Sequence, residues 1–440
     1  MKRTLAILIA LMLLFGSVNL CGAETAAFAG GSGTAEDPYL ISTPAQLDQI
    51  RNAPAACYRL INDIVFTAED FAEGGIFYNG GICWTPIPSF TGALDGNGYA
   101  IKNLTVRNNS TTERFYAGLF RSNSGTIHDL GMENNDFYAW TTYEQAFIPV
   151  CAGGIAGYNS GTITRCYHTG SIEFVAMLRY SQAGGIVGLN AGIVTDCYNT
   201  GTVEAYQNWD SSHAAGGGIA GRNEGRILRC YNNGSVTAGG RCPTSNGFAG
   251  GIAGTNSGGT IQDCYNIGSV YGFSTGKTYG NAGGITACHF TGSVSSCYNT
   301  GTVTCSDWLG AIIGQNNAGS DLSTCYYLDT MNAGSGLYDD AAHRCSMQQL
   351  QKAETFAGFD FEGTWIIAPA FGYRLPQLVS LLHTYAPDDL SGDGILDTGD
   401  IVRLLQDFLS GEADLSGYDF TDDGQFTIAD VIFLLRQTAK

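Results

Sequence analysis

A segment of 31 to 34 residues recurs through the middle of the chain, and no other feature limits its fold as strongly. The clearest copies read AGGIAGYNSGTITRCYHTGSI from Ala152, AGGIVGLNAGIVTDCYNTGTV from Ala183, GGGIAGRNEGRILRCYNNGSV from Gly216 and AGGIAGTNSGGTIQDCYNIGSV from Ala249. Looser copies begin at Ala282 and Gly310, and AGLFRSNSGTIHDLGMEN at Ala117 is a first copy without cysteine. Each copy holds three short apolar runs, separated by Gly and Asn positions that tolerate the backbone angles of tight turns. None of the runs is long or periodic enough for a helix. Such a unit cannot bury its own apolar side, whereas stacked units share one core, so the repeat predicts a mainly β fold, a parallel β-solenoid.

Stacking places like residues about 4.8 Å apart, the spacing of neighbouring strands. The expected ladders are Ile155, Ile186, Ile219, Ile252 and Ile285; Asn159, Asn190, Asn223 and Asn256; and Cys166, Cys197, Cys230, Cys264, Cys297 and Cys325. Ile163 and Cys166 are an odd number of residues apart, so burying both requires a bend or bulge between them. Composition agrees with many strands and turns: Gly accounts for 61 of 440 residues, while charged residues are only 14%.

The cysteine ladder has three readings. Single thiols on successive rungs supply no tetrahedral metal set, and parallel side-chain vectors strain a disulfide torsion. Buried small hydrophobes are therefore expected, with pairing left open for Cys57, Cys83, Cys242 and Cys345. A catalytic solenoid needs clustered acids. The candidates are Asp95, Asp129, Asp196, Glu204, Glu224 and Asp263, but Asp196 and Asp263 share a repeat position with Arg165 and Arg229. That exchange suits an exposed face with paired charges. His128, His168, His213 and His289 have no helpful partner spacing, and DDAAH at Asp339 stands alone. Tyr167, Tyr198, Tyr231, Tyr265 and Tyr298 form a further ladder, expected as an edge-packing stack, with a sugar-binding strip as the other reading.

The ends differ from the middle. Lys2 and Arg3, an apolar run from Leu5 to Phe15 and small residues before a cut after Ala23 or Ala29 read as a secretory signal, too short to span a bilayer. Leu20 stands where lipidation of Cys21 would want a small residue. The net charge of −19 disfavours nucleic acid and anionic lipid as partners. Residues 386–440 hold twelve acids against Arg403, Arg436 and Lys440, a balance of −9.

Within that acidic end, DLSGDGILDTGD fits a twelve-residue calcium loop, with oxygen ligands at alternate positions and Gly394 at the sharp turn. The ligands are Asp389, Ser391, Asp393, the Ile395 carbonyl, Asp397 through water, and Asp400. Thirty residues on, DFTDDGQFTIAD supplies Asp419, Thr421, Asp423, the Gln425 carbonyl, Thr427 and Asp430, with Gly424 at the turn. Each loop runs into an amphipathic helix, through Ile401, Leu404, Leu405 and Phe408 in the first and Val431, Leu434 and Leu435 in the second.

The repeat resembles the GLUG motif of secreted bacterial surface proteins. GGSGTAEDPYLISTPAQLDQI, WTPI and FTGALDGNGYAIKNLTV look like the lead-in of such proteins, and SMQQLQKAETFAGFDFEGTWII with GYRLPQL like their closing segment. The resemblance implies fold and not activity. The duplicated loop and exit helix look like a type I dockerin, which implies two structural Ca2+ ions and binding to a cohesin domain of a scaffoldin. Carried over by position, its recognition pairs fall on Thr398 with Gly399, and Ile428 with Ala429. These differ from the usual Ser-Thr pair and from each other.

The expected organisation is a signal peptide at 1–23, a lead-in at 30–116, repeats at 117–331, a closing segment at 332–385 and the calcium-binding α-helical dockerin at 386–440. The expected protein is secreted and non-catalytic or cryptically active, an adhesive or carbohydrate-binding surface carried on a cellulosome-like scaffold, with a polysaccharide or host-surface ligand. The rival is a dockerin-bearing hydrolase or lyase of polysaccharide catabolism.

Overall fold

A computed structural model describes residues 28–382, apart from 111–115, 142–149, 177–179, 211, 277–278, 331–340 and 369–372. The segments expected as a signal peptide and as paired calcium loops lie outside the described residues.

The repeats form a parallel β-solenoid. One coil shows the plan, with β1 at Val150–Gly153, β2 at Ala156–Asn159, β3 at Thr162–Thr164, β4 at Tyr167–His168 and β5 at Ser171–Ala176. The coil therefore has five short strands where three apolar runs were expected. The difference arises because GGIAGYN and TRCYH each turn a corner inside an apolar run, a break that hydrophobicity alone does not display. Each strand pairs in parallel with its equivalent in the next coil, for example Ile163 with Val194 and Ile172 with Val203. The β1 and β5 stacks have seven strands each and the β4 stack ten. The β2 and β3 stacks merge into one 14-stranded sheet, because Ala253–Gln262 and Thr286–Ser295 run through the corner as single strands.

The expected bend between Ile163 and Cys166 is present, and both residues are fully buried. Arg165 carries it with φ +50°, and Asp129, Asp196, Arg229, Asp263 and Ser296 repeat the left-handed angle on their own rungs. One left-handed residue at the β3–β4 corner resets the alternation, so the cysteine after it points inward. The isoleucine and cysteine ladders are buried throughout and belong to one continuous core. Gly218 shows why the β1–β2 turn is glycine: an added Cβ would lie 2.3 Å from the Gly251 carbonyl and 2.4 Å from the Asn232 amide carbon.

Two asparagine ladders run inside this core. Asn159, Asn190, Asn223 and Asn256 form the expected one, and Asn123 extends it by a rung, each Nδ2 donating to the next Oδ1 at 2.8 to 2.9 Å. Asn199, Asn232, Asn266 and Asn299 form a second, with bonds of the same length. In this second ladder each amide also bonds the chain two residues on, so no polar atom is left over: Asn232 donates to the Gly234 carbonyl and accepts from the Gly234 amide. Complete pairing is what makes a buried amide tolerable.

The lead-in supplies the first rungs. Tyr39–Ile41, Cys57–Leu60 and Ala93–Asp95 extend the β3 stack, while Phe66, Phe77 and Trp84 close the end of the core. At the other end His343–Cys345 joins the β4 stack. An antiparallel hairpin, Trp365–Ala368 with Tyr373–Leu378, then folds back along the outside of the coils. Among the described residues no helix is long and apolar enough to cross a membrane.

Candidate ligand-binding face

The tyrosine ladder lies on the β4 face. Rings of Tyr167, Tyr198, Tyr231, Tyr265 and Tyr298 stack 4.9 to 5.0 Å apart and within 9° of parallel. Each ring therefore covers its neighbour's face, and the end ring, Tyr167, lies over Gly131, where an added Cβ would be 2.5 Å from the ring. Among these rings no open face remains on which a sugar could stack, so the ladder is an edge-packing stack. Its edges instead seat the closing segment. Tyr265 donates to Gln377 Oε1 at 2.9 Å and Tyr298 to the Pro376 carbonyl at 2.6 Å, while Trp365 and Phe356 pack against them.

The β3–β4 corner alternates in charge from rung to rung. Arg165 Nη2 donates to Asp129 Oδ2 at 2.7 Å, and Arg229 binds both oxygens of Asp196 at 2.7 and 2.8 Å. The expected exposed charge face holds only at the first rungs. Asp196 is buried, because Ser380 of the closing segment also donates to it, and Asp263 is capped by the Trp365 indole. Burial opposes ionisation of Asp196, but hydrogen bonds from Arg229, Ser380 and Thr195 outweigh it and hold the carboxyl below its usual range. Burial pushes Asp263 the other way, upward, against the weaker bond from Trp365.

Asp95, His128 and Asp129 present one oxygen or nitrogen each within 4.8 Å of one another. Of these, Asp95 and Asp129 border a groove of about 580 Å3 that Tyr167, Tyr198 and Leu381 also line. All three are already engaged: Arg59 Nε bonds Asp95 at 2.7 Å, Arg165 holds Asp129, and His128 Nδ1 lies 2.7 Å from Asp129. A cation there would have to displace two guanidinium groups. The charges are balanced without one.

The β5 face is different. Its inward residues, such as Ile172, Phe174, Val203 and Ala205, fill the core. Its outward residues form a column in register: Arg107, Tyr138, Glu173, Glu204, Thr237, Tyr271 and Thr304. Tyr138 is 39% exposed and Tyr271 46%, so the column has a large exposed ring on either side of its acids. A second outward column holds Trp140, Val175, Tyr206, Gly239 and Phe273, with the Phe273 ring folded across Gly239. A hollow of about 410 Å3 lies over Arg107, Asp136, Tyr138, Glu173 and Glu204.

Within this hollow Glu173 and Glu204 stand directly opposite each other on neighbouring strands. Tyr206 donates to Glu204 at 2.9 Å, and the Arg241 guanidinium lies 3.5 Å from the centre of the Tyr206 ring. Partial burial, and then the Glu204 charge, raise Glu173 above the usual carboxylate range. The two acids thus have unlike surroundings and face solvent between aromatic groups. Glu204 was a sequence candidate; Glu173 was not, because the same repeat position holds Tyr, Glu, Glu, Thr and Tyr in successive copies and shows no conserved type within the chain. Aligning the third apolar run of each copy and taking its outward positions would have found it.

Glu224 lies apart on the β2–β3 corner, paired with Arg222 at 2.7 Å. His168, His213 and His289 are inside or nearly so. The residues at 389–430 expected as calcium ligands and recognition positions lie outside the described residues.

The family model for the GLUG motif matches residues 180–204, which run from the start of one coil to Glu204. A Gly-rich membrane protein of Evansella cellulosilytica is 35% identical over 149 residues, 32% of this chain and 15% of that protein. Halomucin of Haloquadratum walsbyi is 39% identical over 116 residues, 26% of this chain and 1% of that protein. The chain thus spans a small part of the length of either relative. A solved structure titled as an immunoglobulin A1 protease from Bacteroides ovatus aligns over 80% of this chain and 96% of its own, at 19% identity and a TM-score of 0.46. The chain is a β-solenoid protein that carries the GLUG motif.

Proposed function

We propose that this protein is an exported, surface-associated solenoid that binds an extended polysaccharide on its β5 face. The observation that carries the reading is the outward column in which Tyr138 and Tyr271 flank Glu173 and Glu204. Exposed rings offer apolar faces to sugar C–H groups, and carboxylates accept hydroxyl hydrogen bonds, a combination suited to orienting a polar ligand on an apolar floor. Names of the relatives, a Gly-rich membrane protein and halomucin, are in keeping with a cell-surface setting.

In this reading residues 386–440 act as a dockerin. Two structural Ca2+ ions hold the loops at Asp389–Asp400 and Asp419–Asp430, and Thr398, Gly399, Ile428 and Ala429 contribute to cohesin recognition. A module this small gains much of its stability from its ions. The test is capture of the whole protein on immobilised cohesin domains, with and without chelator. Capture should need calcium and should be lost in Asp400→Ala with Asp430→Ala; capture indifferent to chelator overturns the docking role.

For the β5 face, the test is retention on a panel of plant, microbial and mucin polysaccharides. Tyr138→Ala with Tyr271→Ala should remove it.

The Glu173–Glu204 pair also supports a second reading, glycoside hydrolysis. Two carboxyls one strand spacing apart, one of them raised by burial and by its neighbour, form the kind of pair that glycoside hydrolysis uses. Release of new reducing ends by the wild type, lost in Glu173→Gln, would favour it. Binding without release would leave the adhesive reading standing.

A further inference from the structure

The β5 face also carries information about the charge and direction of its ligand, an inference that rests on the glycan-binding reading above. Tyr138 and Tyr271 lie four rungs apart in one column, about 19 Å at the spacing of neighbouring strands. Between them come Glu173, Glu204 and Thr237. The rise per sugar in an extended chain is close to the rung spacing, so a strand laid along the solenoid axis meets one side chain of this column with each sugar.

The charges along that path are unbalanced. Arg107 is spent on Asp136, to which it donates at one end of the hollow. Arg241 is held to one side, over the Tyr206 ring. Glu173 and Glu204 face each other across one strand spacing with no cation between them in the column. Like charges directly opposite on a sheet destabilise it; burial first, and the Glu204 charge second, raise the affinity of Glu173 for a proton against the weaker pull of Arg241. A positive group set between the two carboxylates would relieve it, whereas a ligand carboxylate would add a third negative charge.

We propose that the face selects an extended polymer of amino sugars bearing free amines, bound parallel to the solenoid axis from Tyr138 to Tyr271, and rejects polyuronates. The rings supply contact that any sugar chain can use. The two carboxylates decide which chain is held, since complementary charge governs selectivity more than raw affinity.

The experiment compares the whole protein, with calcium present, on a glucosamine pentamer, its fully N-acetylated form and a galacturonate pentamer. The glucosamine pentamer should bind about tenfold or more tightly than the acetylated form, and galacturonate should not bind. That preference should collapse in Glu173→Gln with Glu204→Gln, and in about 0.5 M salt, where screening acts within a few Å. Both substitutions are nearly isosteric, and circular dichroism checks that the solenoid persists. Equal binding of the acetylated and free-amine pentamers, or any preference for galacturonate, overturns the charge selection and leaves the glycan-binding reading intact. Failure of every sugar chain, on this set and the polysaccharide panel, overturns both.

Discussion

His168 Nδ1 lies 3.0 Å from Asn199 Oδ1, which makes a histidine the first rung of a ladder otherwise built of asparagine. The Asn199 amide nitrogen is committed to Asn232 and to the Gly201 carbonyl, so its oxygen faces the ring and Nδ1 must carry the proton. His168 Nε2 is buried without a partner. Burial lowers the pKa of this imidazole to about 4, against a weaker upward pull from Asn199, and burial lowers that of His213 to about 4 as well. Above pH 6.5 both are neutral in either state. Between about 6.5 and 4 only the unfolded chain takes up the protons, so stability falls as pH drops through that window, by on the order of 3 kcal/mol for each histidine. His168→Asn should remove its share, read as a smaller shift of the denaturation midpoint between pH 7 and pH 5.

Asn232 tests the ladder itself. Replacing it with Ala leaves the Asn199 donor and the Gly234 amide and carbonyl without their side-chain partners. Each unsatisfied buried group costs roughly 1 to 3 kcal/mol. A loss of several kcal/mol in chemical denaturation is expected, well beyond what the lost volume explains; a loss under about 1 kcal/mol would mean that the ladder is not what holds these coils in register.

Trp365 joins the closing segment to the coils. It is buried against Tyr265, Tyr298 and Phe359, with its indole hydrogen-bonded to Asp263. Trp365→Ala should cost about 3 to 5 kcal/mol at that contact. The coils are paired rung by rung and do not depend on it, so amide exchange should rise at residues 347–382 and along the β4 face while the isoleucine core stays protected.

The thiols provide a check on the core. No disulfide joins any of the thirteen described cysteines. Cys166, Cys197, Cys230, Cys264, Cys297 and Cys325 have no exposed surface; burial raises Cys197 and Cys264, while at Cys230 and Cys297 burial is outweighed by hydrogen bonds from neighbouring thiols, which lower them, so what protects the ladder is lack of access. Among these described cysteines a thiol reagent should label Cys57, Cys242 and Cys305 in the native protein, and the ladder only after unfolding. Mass mapping of labelled peptides reads the result, and early labelling of Cys230 would contradict a closed core.

Much of this fold was legible as a repeat. Periodic Ile, Asn and Cys fix which residues share a rung, because in a parallel stack each residue's partner is its own equivalent one coil away. The need for a bend before each cysteine was legible too, since an odd interval cannot bury both ends of a plain strand. Less legible was where the coil turns: Arg165 and Asp196 adopt the same left-handed angle although neither type demands it. The second asparagine ladder stood in the CYN triplets and went unread, since a polar residue there looks like a turn until both neighbouring strands are seen to be buried.

The candidate face divides in the same way. Sequence alone determined that side chains at matching repeat positions form columns, because periodicity and strand geometry are local consequences of the chain. Tertiary structure decided which columns stay open. The tyrosines at 167 to 298 recur with perfect regularity, yet their faces are lost to one another and their edges to the closing segment. Tyr138, Glu173, Glu204 and Tyr271 look unrelated in the sequence and become one exposed row, because nothing among the described residues folds back over the β5 stack. Exposure depends on what packs against a surface, and the covering hairpin comes from residues about a hundred positions away from the tyrosines it covers.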